Sequence, residues 1–496
     1  MKKNMIKIFV ALIIFSLTGC KSIPVNPRLA KEREQLLKEE QWRHQLPLEE
    51  KAVVAPVFPT VKKAKLKNGL SIYVVEDHRL PIAEVNLVFK NGSARDPIGQ
   101  FGLQNLVSLM LKEGTKKLSS LGLAEAFAQL GTQVSVGVGK DFSQISVGIL
   151  SDKMKETVKL LASMAQNPRM EQSDFDRVKF QQLNFITASQ AMPNYVAQVS
   201  FLNTAYGKNH PYAHPSKGTI DSLNQITLDQ VKQAYTQNFG PDNAALIVVG
   251  DADLASIKKM AKKNFSKWKK INYRTLEIAA PAAHKEMTTN LIARPHTPQT
   301  YLLVGKPVAT MKDQDLPSYS LLQQILASIP SSRLDSNLRE KKGWTYGVAS
   351  SVNPFQGLGP FFVTTSIRVP FGADALGEIL KEFEMLNTTP VSDEELKAAK
   401  VSQLDSFASR YSTVQKISDI VSEQFLYDLP TDYDEKYYEK IKAVTKEDIM
   451  TVAKKAFNKE QLTAVAVGEL EVMQVPLANM KVGKVIVEGE QEHSSN

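Results

Sequence analysis

Thiols, imidazoles and carboxylates are the side chains that hold metals or activate water, and this chain is thin in the first two. It has 496 residues, one cysteine and seven histidines. The single thiol, Cys20, allows no disulfide framework and no zinc site built on several thiolates. The histidines are His44, His78, His210, His214, His284, His296 and His493. Only His210 and His214 stand close together, four residues apart, a spacing that would put both rings on one face of a helix. Pro211 and Pro215 break any such helix. No further ligand of the right type lies nearby, so the pair reads as a structural loop rather than a metal site.

The elements around these residues start with an N-terminal segment unlike the rest. Lys2, Lys3 and Lys7 precede an apolar run from Ile8 to Leu17, which is shorter than the ~20 residues a bilayer span needs. It fits the apolar region of a secretion signal. Leu17-Thr-Gly-Cys20 closes it and resembles the lipobox of bacterial lipoproteins. The resemblance implies a signal peptide over 1–19, lipidation of Cys20 and a membrane anchor. Lys21, which is not an aspartate, implies sorting to the outer membrane of a Gram-negative cell, facing the periplasm. Losing the signal takes the formal charge from +9 to +6, a weak field spread over the remaining chain. No basic stripe with interleaved aromatics is read, which excludes nucleic acid as a partner.

Residues 20–58 read as a charged tether. Glu34 and Lys38 suit a solvated helix; Pro47 ends it, and Pro56 and Pro59 keep the rest of the tether extended. Strand signals then begin. Asn68-Gly69 marks a hairpin, and Glu84 to Phe89 and Thr132 to Val138 alternate. Apolar spacing predicts helices over 102–112, 152–166 and 171–190. The chain also repeats itself. Ile226-Thr-Leu-Asp-Gln-Val231, Phe239 and the strand ending at Gly250 recur 218 residues later as Val444-Thr-Lys-Glu-Asp-Ile449, Phe457 and the strand ending at Gly468. A period this long means a duplicated domain and not a solenoid unit. The expected halves are 59–272 and 288–490, with a linker at 273–287 and a tail at 491–496.

The opening of the first half carries a resemblance. Leu66-Lys-Asn-Gly-Leu70, Gly92-Ser93, Gly102-Leu103, Gly114-Thr115, His210-Pro-Tyr212 and Gly218-Thr219 follow the pattern of the pitrilysin/insulinase zinc metallopeptidases, in their processing-peptidase-like branch. In the second half Ser331-Ser-Arg-Leu334 and Leu338-Arg-Glu340 through Tyr346 match as well. The resemblance implies an α+β fold of two homologous domains, each a mostly antiparallel sheet covered on one face by helices. It also implies an inverted zinc motif, H-x-x-E-H, on a helix of the first half, with a distal glutamate on another helix.

At those positions the chain carries Asn105, Ser108, Leu109 and Phe185. Leu109 and Phe185 have no donor atom, and the neutral oxygens of Asn105 and Ser108 compete poorly for zinc. No general base remains, and Leu103, Leu106, Leu109 and Met110 make an apolar stripe instead. Arg339 and Tyr346 keep the spacing of the pair that holds substrate and stabilises the tetrahedral intermediate in this family. The resemblance therefore implies a non-catalytic chain with no cofactor of its own. It would lend Arg339 and Tyr346 to a zinc-motif-bearing family member, in a heterodimer or larger assembly acting on extended or unfolded peptides. The alternative is a peptide-binding or scaffold protein of the same fold. A stand-alone zinc protease is the third reading and has the least support in the residues.

Overall fold

In the computed structural model, which describes residues 56–480 and 482–488, the alternation of Glu84 to Phe89 runs through the centre of a six-stranded sheet. The signal, Cys20, all but the end of the tether and the tail lie outside the described residues. The first half contains β1 (Lys62–Lys65), β2 (Ser71–Glu76), β3 (Ile82–Phe89), α1 (Leu103–Leu111), α2 (Ser120–Ala128), β4 (Ser135–Val138) and β5 (Ser143–Leu150). It continues with α3 (Met154–Gln166), α4 (Gln172–Ser189), α5 (Pro193–Tyr206), α6 (Ile220–Gln225), α7 (Leu228–Asn238), β6 (Ala244–Gly250) and α8 (Leu254–Phe265). The strand order is β1-β2-β6-β3-β5-β4, antiparallel except for β2 beside β6. β4 is shorter than the alternation predicts, starting at Ser135 rather than Thr132. The hairpin forms, but as a five-residue connection with only Gly69 at positive φ, +101°.

The second half contains β7 (Thr288–Ala293), β8 (Gln299–Ala309), α9 (Leu316–Ala327), a π-helical turn (Asp335–Lys341), β9 (Thr345–Val352) and β10 (Gly359–Arg368). It continues with α10 (Gly372–Thr388), α11 (Asp393–Arg410), α12 (Val414–Leu426), α13 (Tyr433–Ala443), α14 (Lys446–Ala456), β11 (Thr463–Gly468), α15 (Leu470–Asn479) and β12 (Lys484–Glu488). Its order, β12-β7-β11-β8-β10-β9, repeats the first sheet, with the C-terminal β12 in the place of β1. The sequence repeat has a local cause. Thr227 caps α7 and Thr445 caps α14, each in a reciprocal capping box, with Gln230 and Asp448 respectively.

Each sheet packs one face on its own helices, as Val85, Leu87, Ile145, Val147, Leu246 and Val248 do against the first half's helices. The other face is where the structure corrects the expectation of one-sided cover. β6 reads Ala-Ala-Leu-Ile-Val-Val-Gly and is buried throughout, so both of its faces need apolar partners. Val75, Val88, Ala245, Ile247 and Val249 pack on Ile417, Val421 and Phe425 of α12, a helix of the second half. Reciprocally, Ala197, Phe201 and Leu202 of α5 pack on Leu303, Val465 and Val467 of the second sheet. The two halves thus exchange a helix.

The exchange buries a carboxyl. Glu84 of β3 is 4% exposed, on the same face as Asn86, whose side-chain amide bonds the Ser418 hydroxyl of α12 at 2.8 Å. Burial, and then the charge of Asp419, push Glu84 up to about 7 from 4.5. A carboxyl raised in this way favours the folded state while protonated. That stabilisation is complete below the unfolded value and is lost as pH rises through the folded one. Glu84→Gln stays neutral, so it should be more stable than the parent by ~1–2 kcal/mol near pH 8 and no more stable near pH 5. Urea unfolding at the two pH values checks this; equal stability near pH 8 would discount the buried charge.

Candidate functional site

α1 carries three of the four positions where a zinc-binding relative would hold its motif. Gly102, at φ +93°, leads into the helix. Asp96 fixes its first turn, accepting the backbone N–H groups of Gly102 at 2.7 Å and Gln104 at 2.8 Å. Leu103, Leu106 and Met110 face the core and are buried. Leu109, expected on the same stripe, is only half-buried, because it shares a face with Asn105 four residues earlier. Ser108 is 2% exposed and its hydroxyl has no partner.

Asn105 is buried, and its Nδ2 donates to Gln182 Oε1 on α4 at 2.8 Å. Gln182 Nε2 in turn donates to the Lys217 carbonyl at 2.5 Å. Phe185 lies three residues beyond Gln182 on α4, half-exposed, with the Lys217 ammonium 3.4 Å from its ring centroid. The fold thus links Asn105 and Phe185 through two residues that sequence reasoning missed, Gln182 and Lys217. Gln182 had a signal: it is the polar member of the buried stripe Phe175, Val178, Gln182, Ile186.

This arrangement does not fit zinc. An amide hydrogen bond stands where an imidazole would bind. An aromatic ring under an ammonium stands where a carboxylate would, and that cation repels a second one. Among the described residues no group of three or more His, Cys, Asp or Glu is placed to hold a metal. Dialysis against zinc followed by metal analysis should therefore leave the chain without stoichiometric metal; one tightly held equivalent would overturn this reading. His210 and His214 are loop residues. His210 Nδ1 accepts the Tyr212 N–H at 3.0 Å, and its Nε2 meets the Ala279 carbonyl at 2.9 Å. His214 Nε2 meets the Lys208 carbonyl at 2.6 Å, and its ring stacks on Phe101. Burial lowers the pKa of both rings.

Arg339 and Tyr346 sit on either side of a tight turn in the second half. Arg339 lies on the π-helical turn and Tyr346 near the start of β9, an edge strand. The turn is clamped to its neighbours. Arg333, just before it, makes a two-pronged bond to Glu395 of α11 at 2.6 and 2.9 Å. Asn337 donates to Glu378 of α10 at 2.7 Å. Asp335, 5% exposed and missed by sequence reasoning, ties the two candidates together. Its Oδ2 accepts from Arg339 Nη1 at 2.9 Å, and its Oδ1 lies 3.4 Å from the Val348 N–H of β9. Arg339 keeps 44% of its side chain exposed, and Tyr346 is 93% exposed with its hydroxyl unbound. A guanidinium on a fixed base and a free phenol offer donors to a peptide carbonyl or an oxyanion.

A family model described as Insulinase (Peptidase family M16) matches residues 72–217, and one described as Peptidase M16 inactive domain matches 225–402. The "Non-peptidase homolog YmxG" of Helicobacter pylori is 25% identical over 383 residues, covering 75% of this chain and 86% of its own. The "Zinc protease PqqE" of the same organism is 22% identical over 418 residues, covering 82% of this chain and 93% of its own. A crystal structure of a peptidase M16 inactive domain from Pseudomonas fluorescens superposes with a TM-score of 0.77 at 28% identity, over 83% of this chain and 98% of that one.

Proposed function

The chain belongs to the insulinase family of peptidases, M16, as an inactive member, and from that premise we propose that it serves as the zinc-free chain of a two-chain metallopeptidase. In this reading a separate family member supplies the H-x-x-E-H zinc site. This chain adds Arg339 and Tyr346 as donors to the bound peptide and to the oxyanion that forms on it. The observation that carries the reading is the contrast between the two sites. The zinc positions are filled by an amide pair and an aromatic–ammonium contact, while Tyr346 remains 93% exposed beside an arginine held by a buried aspartate. A chain kept only as a scaffold needs no such pair. That one organism holds both a non-peptidase homolog and a zinc protease similar to this chain also supports pairing.

Acylation at Cys20 would hold the complex to a membrane, on the periplasmic side of the outer membrane, where unfolded peptides are its substrates. The test is co-purification from the source cell, followed by mixing. A chain bearing H-x-x-E-H should come down with this one, and peptide hydrolysis should require both. If no such chain associates and extended peptides still bind, the scaffold reading replaces this one.

A further inference from the structure

The positive charge that reads as a weak, evenly spread field in the sequence is concentrated by the fold. α8 and the segment after it carry seven lysines and neither an acid nor an arginine across residues 254–270. All seven are exposed. α8 packs on α3, which adds exposed Lys155 and Lys159, and on β1 and β2, whose connection adds Lys67 next to Lys65. The contact is pinned. Asn68 donates to the carbonyls of Phe265 at 2.8 Å and Trp268 at 3.2 Å, and Gln166 donates to that of Asn264 at 3.0 Å. Among the described residues no carboxylate pairs with any of these lysines. A groove of about 710 Å³ crosses the face, rimmed by Lys159, Lys263, Lys267, Lys269 and Lys270, with no acid in its lining.

We propose that this face docks on an anionic lipid surface, its lysines meeting headgroup phosphates. Charge complementarity selects a polyanion, and the chemistry of the patch selects a membrane over nucleic acid. Phe265 and Trp268 interleave with the lysines but are 0% and 8% exposed, so they offer no ring for a base to stack on. With no arginine in 254–270, the two-pronged contact that reads a guanine edge is missing there. Lysine ammoniums are hydrated point charges suited to a layer of phosphates, and each one near such a surface strengthens binding by about fivefold. The chain also enters the described body here, since β1 begins six residues after Pro56. The lysines stand without an acyl chain, so the proposal does not depend on Cys20.

Full-length chain carrying Cys20→Ser, which cannot be acylated, is sedimented with phosphatidylcholine vesicles with and without about a quarter of phosphatidylglycerol, at about 0.1 M salt. Binding to the anionic vesicles should be at least ~10-fold tighter, and most of that preference should vanish near 0.5 M salt. The quadruple variant Lys258→Gln, Lys259→Gln, Lys262→Gln, Lys263→Gln should lose ~10-fold or more of the preference. If that variant does not fold, Lys267→Gln, Lys269→Gln, Lys270→Gln reads the same face. Equal binding to both vesicle types, an unchanged preference in a folded variant, or tighter binding to a single-stranded DNA oligonucleotide would each overturn the proposal. Because every arm lacks the acyl group, failure here leaves the anchoring role of Cys20 to its own test.

Discussion

Arg339→Ala lowers kcat/KM of the reconstituted two-chain peptidase by ~10²–10³-fold, and Tyr346→Phe by ~10–10²-fold, while both variants still fold and still associate with the zinc-bearing chain. The magnitudes reflect the donor that each change removes. Arginine is a charged, two-pronged donor, and a guanidinium aimed at a developing oxyanion is worth more in a closed site than in water. The phenol loses one neutral donor. A hundredfold loss corresponds to about 2.7 kcal/mol of transition-state stabilisation. Neither residue is needed for the fold: Tyr346 is 93% exposed, and the Arg339 side chain is 44% exposed.

The division between kcat and KM separates the two roles. A donor to the oxyanion lowers kcat with little change in KM, whereas a group that only holds the peptide raises KM. Asp335→Asn supplies a positioning control. It keeps the shape but gives up the charge that holds Arg339 at 2.9 Å, so it should show a smaller loss than Arg339→Ala. Arg339→Lys keeps the charge without the fork and should restore only part of the rate. Full activity in both Arg339→Ala and Tyr346→Phe would end the proposed role and leave a scaffold.

The duplication was legible because its signals are local. A capping box needs only a threonine and a side chain three residues on, so Thr227–Gln230 and Thr445–Asp448 mark equivalent helices wherever those helices pack. The loss of zinc donors was legible for the same reason: a residue type either has a donor atom or lacks one. The replacement chemistry was not. The Asn105–Gln182 bond spans 77 residues and depends on how α1 crosses α4, which periodicity does not encode. Asp335 was hidden likewise, because its link to Val348 exists only once β9 folds back on the π-helical turn. Nor could pattern reasoning see the exchange of α5 and α12. An apolar stripe on a helix announces that it must be covered, not which sheet will cover it. The lysine face is the same kind of case, since 65–67, 155–159 and 258–270 become neighbours only through the packing of α8.

The exchanged helices carry the second large effect. Phe425→Ala on α12 should destabilise the chain by ~3–5 kcal/mol in urea unfolding. Phe425 is 6% exposed and packs among Val75, Val88, Ile247 and Val249 of the first sheet. Its ring meets Tyr73 edge-on at 5.9 Å and lies under the Lys90 ammonium at 5.1 Å, so truncation loses an aromatic and a cation–π contact as well as the buried area. Sheet and helix are both fixed by their own halves, so the cavity has little scope to collapse, which puts the cost high in the range. Met385→Ala, at an exposed site on α10, should change stability by under about 0.5 kcal/mol and serves as the comparison. The reciprocal site is Phe201 on α5, 1% exposed and packed against Phe362. If the two clasps act together to hold the halves as one cooperative unit, Phe201→Ala with Phe425→Ala should split the unfolding curve into two transitions, one for each half. Either single variant should still unfold in one. A cost below about 1 kcal/mol for Phe425→Ala would mean that α12 does not carry the union of the halves, because a well-packed phenylalanine at so buried a junction cannot be removed so lightly.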